Sequence, residues 1–391
     1  MQKHGVQKNV LFYLVSFCLL VFGVNVFGDI INNSNSVEKL LTSDSTNSSK
    51  IVGYWENWYS TNYITLGEVS SKYNIIDVAF ALPKSSTDMT IEFNLDTSGT
   101  TEAEFKADII TIQAEGRKVL ISLGGAICPP VRLNTATDKQ KFISSIINII
   151  EEYGFDGLDI DLEGTSVGLD AGDDDFKNPT TVSMVNLIIA IKEIHDHFEP
   201  DNFVLTTSPE TAFVQGGYGA YDGNWGAYLP LLYGLRDEFD LIHVQYYNSG
   251  DMYGPDGKIY DPGTPDFLVA LSESLLKGFP VNRDPNNLFP AFSADKIAIG
   301  LLTVASEGSG YMQYDDVKKA LDYLTKGISY GGEYVLQQPG GYPDFGGIMG
   351  WSINFDKSVN NYSFVNNAYD YFFGTNSDKR FLLWISKSRK D

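Results

Sequence analysis

The sequence predicts an α/β fold in which one (β/α)8 barrel, or TIM barrel, forms a single domain over residues 51–375. Three observations lead to this prediction: eight short β-branched and aromatic runs, helical segments between them, and 43% hydrophobic residues in a chain of 391. Such barrels take about 250 residues or more. A doubly wound open sheet is the alternative, but its first turn is usually glycine-rich, whereas Glu56–Tyr59 contains no glycine.

The eight predicted strands are spaced so that a helix fits between consecutive strands. They are Ile51–Trp55, Ile75–Leu82, Lys118–Gly125, Gly157–Glu163, Phe203–Glu210, Leu241–Asn248, Lys296–Thr303 and Gly347–Asn354. Amphipathic helical segments are predicted at Asp138–Tyr153, Val182–Phe198 and Tyr314–Lys326. The last two strands are separated by residues 304–346 alone, so we expect no large α+β insertion and an open cleft.

Residues 1–28 have the pattern of a signal peptide. Lys3 and Lys8 precede the apolar stretch Val10–Val24, and small residues follow at a position suited to cleavage. The same stretch is nearly long enough to cross a bilayer, so an uncleaved signal anchor is the alternative. We therefore expect a secreted protein that has no membrane contact once the signal is removed.

The segments that flank the predicted domain differ from it in composition. Residues 29–50 form an Asn/Ser-rich linker, and residues 376–391 form a basic tail without an assigned role. Because Cys18 lies in the signal peptide, the mature chain would keep only Cys128 and could form no internal disulfide. We expect Cys128 to be a small buried residue rather than a nucleophile.

The charge of the chain narrows the classes of partner. A formal net charge of −22 repels phosphate backbones and anionic lipids, which argues against nucleic acid and membrane surfaces. A neutral polysaccharide is compatible with this charge, and some of the 52 aromatic side chains, 23 Tyr, 24 Phe and 5 Trp, could stack on sugar rings. Most of these aromatic residues must belong to the core in any case. We expect a monomer.

No metal site or cofactor is predicted. Of the four histidines, His4 lies in the signal, His195 and His197 lie on a helix, and His243 stands apart from the others. The acidic segment Asp170–Asp175 lacks the D-x-D-x-D-G register and the distal glutamate of a calcium loop. We expect that segment to be a solvated loop.

The most informative segment is Asp156–Glu163, with the sequence DGLDIDLE. On a strand, Asp159, Asp161 and Glu163 share one face, roughly 7 Å apart, while the apolar residues share the other. Three carboxylates in a small, partly buried space cannot all stay ionised, so at least one pKa must rise. A carboxyl group that stays protonated near neutral pH can act as a general acid. Asp156 is out of phase with this face and is interpreted as structural.

This segment resembles the D-G-x-D-x-D-x-E signature of glycoside hydrolase family 18, the chitinases and their relatives. The resemblance extends over residues 51–373. Lys118–Gly125 resembles the S-x-G-G third strand of that family, Gln245–Asn248 its sixth-strand Q-x-Y-N variant, and Gly350–Ser352 its eighth-strand tryptophan. The acidic motif is highly specific, whereas the others carry weight because they occur in order at strand ends.

The resemblance implies a retaining mechanism in which the 2-acetamido group of the substrate is the nucleophile. Glu163 would protonate the glycosidic oxygen and later deprotonate water. Asp161 would orient the acetamido N–H, Asp159 would share the proton of Asp161, and Tyr247 would donate to the acetamido oxygen. The implied function is endo-acting hydrolysis of chitin or chitooligosaccharides. The alternatives are an endo-β-N-acetylglucosaminidase that acts on N-glycan cores and a non-catalytic chitin-binding lectin.

Further candidate residues for substrate binding lie at the predicted strand ends. They are Tyr54, Phe80, Glu210, Gln245, Asn248 and Trp351. Trp351 and Tyr54 would form the floor and wall of the −1 sugar site, although barrel packing is an alternative for both and for Phe80. Gln245 shares the inward face of Tyr247. For Glu210, contact with the cleft and simple solvent exposure remain equally open.

Overall fold

A computed structural model describes residues 49–198 and 203–374. The predicted signal peptide, nearly all of the predicted linker and the basic tail lie outside the described residues.

Eight parallel strands form a closed barrel, as predicted. They are β1 (Lys50–Glu56), β2 (Ile75–Ser85), β3 (Lys118–Gly125), β4 (Gly157–Leu162), β5 (Val204–Thr207), β6 (Leu241–Gln245), β7 (Ile297–Leu302) and β8 (Gly347–Trp351). Each strand pairs with the next one in sequence, and β8 pairs with β1 to close the barrel. All eight carboxyl ends therefore meet at one face, where the functional residues of such barrels lie.

Helices surround the barrel. They are α1 (Glu102–Ala114), α2 (Ala136–Tyr153), α3 (Val182–Phe198), α4 (Leu229–Gly234), α5 (Pro265–Lys277), α6 (Tyr314–Lys326), α7 (Ile353–Asn360) and α8 (Ser363–Phe373). The start of α2 is set by a capping box, in which Thr135 accepts from the Asp138 N–H and Asp138 accepts from the Thr135 N–H. No helix in the described part of the chain is long and apolar enough to cross a membrane.

Three of the predicted strands extend three residues too far at their carboxyl ends, and one of them, β6, ends at Gln245 instead of Asn248. β5 ends at Thr207, two residues before Pro209, which has no N–H to donate to a ladder. β8 ends at Trp351, since α7 begins at Ile353. Asn354 belongs to that helix, and its side-chain oxygen accepts the backbone N–H of Glu56 over 2.9 Å.

The segment between β7 and β8 contains α6 and a 3-10 turn but no strand, so the prediction of no α+β insertion is confirmed. After α6 the chain is fastened to α5 by the buried carboxylate of Glu273. This carboxylate accepts hydrogen bonds from the hydroxyls of Tyr334 and Tyr342 and from the backbone N–H of Gln337. The connection therefore packs against the barrel wall.

The core has two layers. The larger one lies between the strands and the helices, and the smaller one fills the barrel. The fully buried polar side chains of the barrel interior include Asp77, Ser122, Asp159, Thr206 and His243. Buried polar groups destabilise a fold unless they have partners, so the contacts of these side chains matter for the stability of the barrel.

Candidate active site

Strand β4 presents its acids to the barrel interior. Leu158, Ile160 and Leu162 are fully buried in the outer core layer, whereas Asp159 and Asp161 are buried on the opposite face. Glu163 follows the last strand residue and is partly exposed at the carboxyl end of the barrel. The period-two alternation thus places three carboxyl groups in a row, from the interior to the cleft.

Glycines on β3 allow the neighbouring strand to approach closely. Gly124 pairs with Asp161 and has a φ of +134°, and a Cβ there would lie 1.8 Å from the carbonyl oxygen of Asp161. At Gly125, with a φ of +86°, a Cβ would lie 2.5 Å from the ring of Phe80. A side chain at either position would displace the acidic strand or the aromatic wall.

Asp159 is held by three hydroxyl groups. The hydroxyls of Tyr54 and Ser122 donate to Oδ2 over 2.6 and 2.7 Å, and that of Thr206 donates to Oδ1 over 2.7 Å. Burial favours a raised pKa at Asp159, but the neighbouring His243 imidazole and these hydroxyl donors bring the pKa below its ordinary value. Asp159 is therefore the anionic member of the acidic row.

Gln245 joins the other two acids. Its amide nitrogen lies 2.8 Å from Oδ1 of Asp161 and 3.1 Å from Oε1 of Glu163, and it also donates to the carbonyl of Ser208. Asp161 and Glu163 hydrogen bond to each other as well, a contact that raises the pKa of Asp161 and reduces the rise in the pKa of Glu163. The carboxyl groups of Asp161 and Glu163 thus share one network.

Burial sets the protonation of this pair. It raises the pKa of Asp161 well above the ordinary value, and the charges of Glu163 and Asp159 raise it further. Burial also raises the pKa of Glu163, an effect that the charge of Glu210 increases and the Gln245 hydrogen bond reduces. The pair can therefore retain a proton at a pH where exposed carboxyl groups are ionised.

Aromatic rings line one side of the site. Trp351 stacks on Phe80 with ring centroids 5.8 Å apart, and it lies 5.4 Å from Tyr54 and 6.4 Å from Trp58. Tyr54 is fully buried below this layer, whereas Trp58 is 39% exposed. Trp58 lies in the turn after β1 and was not among the predicted binding residues, since a single loop tryptophan gives no periodic signal.

Two clefts open at the carboxyl face. One, of about 380 Å³, is lined by Trp58, Phe80, Pro83 and Ile127 among others. The second cleft lies beside Tyr247. Both volumes fall within the range of small-molecule sites, roughly 300–1,000 Å³.

The second cleft, of about 310 Å³, is lined by Glu210, Trp225, Tyr247 and Asn248 among others. Burial, followed by the charges of Asp161 and Glu163, raises the pKa of Tyr247 well above its ordinary value, so its hydroxyl keeps its proton. Oε2 of Glu210 accepts the Gly164 N–H over 2.8 Å. Glu210 therefore lines this cleft and makes a structural contact, while its contact with substrate stays a prediction.

Asn248 is exposed at the end of the β6 segment. Its side-chain oxygen accepts the N–H of Ser309 over 2.8 Å, and its own N–H donates to the carbonyl of Ser309. Asn248 thus connects the loop after β6 to the segment after β7. Trp225, at 47% exposure, lies beside it in the same cleft and was not predicted from the sequence.

His243 does not stand apart in the structure, contrary to the sequence interpretation. Its Nε2 lies 3.4 Å from Oδ1 of Asp159 and 3.7 Å from Oδ2 of Asp77, and all three side chains are fully buried. Within the described residues, these three are the group whose ligand atoms lie close enough together, within 4.8 Å, to share a cation. However, Asp159 already accepts three hydroxyl donors and no solvent reaches the fully buried group to complete a coordination shell, so the group fits a metal poorly.

Three further residues have structural surroundings. Asp156 accepts from the Lys118 ammonium and the Val119 N–H, both over 2.9 Å, which fixes the start of β4. Cys128 is buried, and burial raises the pKa of its thiol to about 12, so it is not a nucleophile. Asp173 is buried and accepts the Thr181 N–H over 2.7 Å, so the expectation of a fully solvated loop was wrong at this position.

Comparisons with known proteins agree with this geometry. Residues 50–272 match the family described as Glycosyl hydrolases family 18. Chitinase Chi52 of Paenibacillus xylanexedens is 46% identical over 354 residues, which cover 88% of this chain and 67% of that protein. Chitinase D of Niallia circulans is 47% identical over 343 residues, which cover 85% of this chain and 64% of that protein.

A solved structure is also similar. A family GH18 chitinase from Chromobacterium violaceum has a TM-score of 0.75 and 38% sequence identity, with 83% of each chain covered. The matched part of the chain spans about two thirds of the length of the two curated relatives, Chi52 and Chitinase D. The closed barrel, the acidic strand and these matches lead to one conclusion: the chain belongs to glycosyl hydrolase family 18.

Proposed function

We propose that this protein is a retaining endo-chitinase, which hydrolyses β-1,4 linkages between N-acetylglucosamine units. The observation that carries the proposal is the row Asp159, Asp161 and Glu163, in which the outermost acid has a raised pKa and is partly exposed at the carboxyl end of the barrel. The two curated relatives and the solved neighbour are named as chitinases. A neutral polymer also suits the formal charge of −22.

In this mechanism, Glu163 donates its proton to the glycosidic oxygen as the bond to the anomeric carbon breaks. The carbonyl oxygen of the substrate's 2-acetamido group attacks that carbon and forms an oxazolinium ion, so no second protein carboxylate acts as nucleophile. Asp161 accepts a hydrogen bond from the acetamido N–H, and Tyr247 donates to the acetamido oxygen. Glu163 then removes a proton from water, which attacks the anomeric carbon from the face that the leaving group occupied.

The charges of the protein residues assist these reaction steps. Asp161 carries the proton of the pair in the resting enzyme, and its release toward Glu163 leaves an anion that stabilises the positive oxazolinium. The hydroxyl donors around Asp159 keep that residue ionised below the pair. Trp351 supplies the apolar floor under the reacting sugar. No step requires a metal or a cofactor.

Cutting within a polymer is favoured by the two clefts. Trp58 lines one and Trp225 lines the other, and the catalytic residues Glu163 and Tyr247 lie at the same face of the barrel. A chain bound across both clefts would place an internal bond at Glu163. The absence of strands between β7 and β8 leaves this face without an additional wall.

The direct test is hydrolysis of chitooligosaccharides by wild type, Glu163→Gln and the control Glu152→Gln, which changes an exposed glutamate on α2. We expect Glu163→Gln to lower kcat by about 10²- to 10⁴-fold while binding survives, because the amide cannot donate an acid proton. The control should match wild type. Equal rates for wild type and Glu163→Gln would contradict the proposed role.

Two further measurements separate the alternatives. Proton NMR of the first product distinguishes the β-anomer, expected for retention, from the α-anomer that inversion would give. Assays on an N-glycoprotein and on chitin distinguish chitinase activity from action on N-glycan cores. Binding of chitin without hydrolysis by the wild-type protein would favour the lectin alternative.

The proposal includes export of the chain. The basic start and apolar stretch of residues 1–28 support a cleaved signal, followed by a linker over 29–50, the catalytic domain over 51–375 and the tail over 376–391. Amino-terminal sequencing of the protein from culture medium tests the cleavage site. Retention of the chain in membranes would favour the anchor, and light scattering would test the expected monomer.

A further inference from the structure

A charge cluster, formed by His243, Asp77 and Asp159, lies directly below the proposed catalytic acids. His243 precedes Gln245 by two residues on β6, and Asp159 precedes Asp161 by two residues on β4, so the cluster occupies the next layer of the barrel interior. Nε2 of His243 lies 3.4 Å from Asp159 and 3.7 Å from Asp77. All three side chains are 0% exposed.

The surroundings of His243 contain acids and a phenol. Tyr54 approaches from β1, with its ring centroid 6.2 Å from that of the imidazole, while Asp77 approaches from β2 and Asp159 from β4. On the other side, Ala298 of β7 is the strand neighbour of His243 and carries no charge. In the described part of the chain, His243 is the basic side chain that pairs with Asp77 and Asp159, and no lysine or arginine there pairs with either.

The two carboxyl groups of the cluster differ in their electrostatic balance. Burial, followed by the charge of Asp159, raises the pKa of Asp77 well above its ordinary value, which makes Asp77 the neutral member. At Asp159 the effect of burial is overcome by the imidazole and the hydroxyl donors, so the pKa is lowered. The geometry thus places the basic group of the cluster, His243, within 3.4 Å of its anionic member, Asp159, and opposite charges so close together would offset each other in a dry interior.

We propose that His243 is a positioning residue of the glycosidase, which as an imidazolium keeps Asp159 anionic so that the exchangeable proton stays on Asp161, next to Glu163. The Asp77 carboxyl lies at the same ring nitrogen, Nε2, as the Asp159 carboxyl. The inference rests on the proposed function, because the proton matters only if Asp161 and Glu163 carry out acid–base chemistry. His243 itself touches neither substrate nor the reacting atoms.

Without His243, Asp159 would lose its positive neighbour and compete with Asp161 for the proton. Removal of a positive charge raises the pKa of every carboxyl group nearby. In His243→Gln, which keeps a polar side chain of similar length, we expect both limbs of the kcat/KM profile to move to higher pH by roughly 1 unit or more. We also expect kcat at the wild-type optimum to fall about 10- to 100-fold, with KM nearly unchanged.

The control is His195→Gln, the same substitution on α3 outside the barrel, which should keep the wild-type profile. Asp77→Asn provides a second variant, because a neutral Asp77 can be replaced by its amide without movement of the pH limbs. If His243 only packs in the core, His243→Gln should have a lower rate at every pH, and the limbs of its kcat/KM profile should stay at the wild-type pH. That result would overturn the proposal. Strongly displaced limbs in Asp77→Asn would contradict a neutral Asp77.

A measurement on the wild-type protein covers the case in which the variant folds poorly. In NMR spectra of protein with ¹⁵N-labelled histidine, both ring nitrogens of His243 should carry protons at the pH of maximal activity. A neutral His243 ring at that pH would contradict the proposal. Thermal unfolding and oligosaccharide binding of His243→Gln show whether its fold persists. If wild type fails to hydrolyse chitooligosaccharides, the proposed function fails; if it hydrolyses them and His243→Gln keeps the wild-type limbs, only this inference fails.

Discussion

The amide nitrogen of Gln245 lies 2.8 Å from Oδ1 of Asp161, and the same nitrogen lies 3.1 Å from Oε1 of Glu163. Gln245 therefore stabilises the ionised form of the outer acid, which lowers the pKa of Glu163 against the effect of burial. A neutral donor in this place controls the acid without adding a charge to the cleft.

Gln245→Leu removes this donor while it keeps the approximate volume. We expect the alkaline limb of kcat/KM to move to higher pH, because Glu163 then loses a hydrogen bond that favours its ionised form. We also expect kcat to fall about tenfold or more, since the two carboxyl groups lose their common partner. A pH–rate profile of both proteins checks this, and an alkaline limb that moves to lower pH would contradict it.

Tyr54→Phe tests the support of Asp159. The Tyr54 hydroxyl lies 2.6 Å from Asp159 and 2.6 Å from Ser208, both buried, so its loss removes one donor from the Asp159 carboxylate and a hydrogen-bond partner from the Ser208 hydroxyl. We expect a loss of about 1–3 kcal/mol in the free energy of unfolding at neutral pH. Urea unfolding measures this, with Tyr59→Phe at an exposed position as the control. A change below about 0.5 kcal/mol would mean that the hydroxyl contributes little.

The sequence predicted the barrel and the acidic row because both depend on local periodicity. Alternation along β4 fixes the facing of Asp159 and Asp161 regardless of the rest of the fold. The His243 cluster could not be predicted, because β2, β4 and β6 meet only across the closed barrel. Trp58 and Trp225 lie in turns, where the chain has no period to indicate which side chains face the cleft.

Trp225→Ala and Trp58→Ala test whether substrate spans both clefts. The two rings line different clefts, so each should contact sugars on one side of the bond that is cut. Loss of a half-exposed ring removes about 1–2 kcal/mol of apolar contact, or roughly 5- to 30-fold in kcat/KM on long oligosaccharides. Short oligosaccharides should be affected less. Rates on chains of increasing length check this, and equal losses at every length would contradict binding across two clefts.

Glu56→Gln tests a buried acid at the end of β1. Burial raises the pKa of Glu56 to about 7, although a hydrogen bond from Ser352 partly offsets this, and the charge of Glu307 adds to it. Between the ordinary pKa of 4.5 and about 7, the folded state binds a proton that the unfolded state has released. The stability that this proton confers is complete below the lower value and is lost as pH rises through the higher one.

The glutamine variant carries no titrating group at this position, while its side-chain oxygen can still accept the Ser352 hydroxyl. Relative to wild type, it should therefore gain about 3 kcal/mol in free energy of unfolding as the pH rises from about 4.5 to 8. Urea unfolding at several pH values measures this difference, with Glu152→Gln as the exposed control. If the difference in free energy of unfolding between Glu56→Gln and wild type stays constant across this range, the pKa of Glu56 is not raised in the folded state. That result would contradict the prediction.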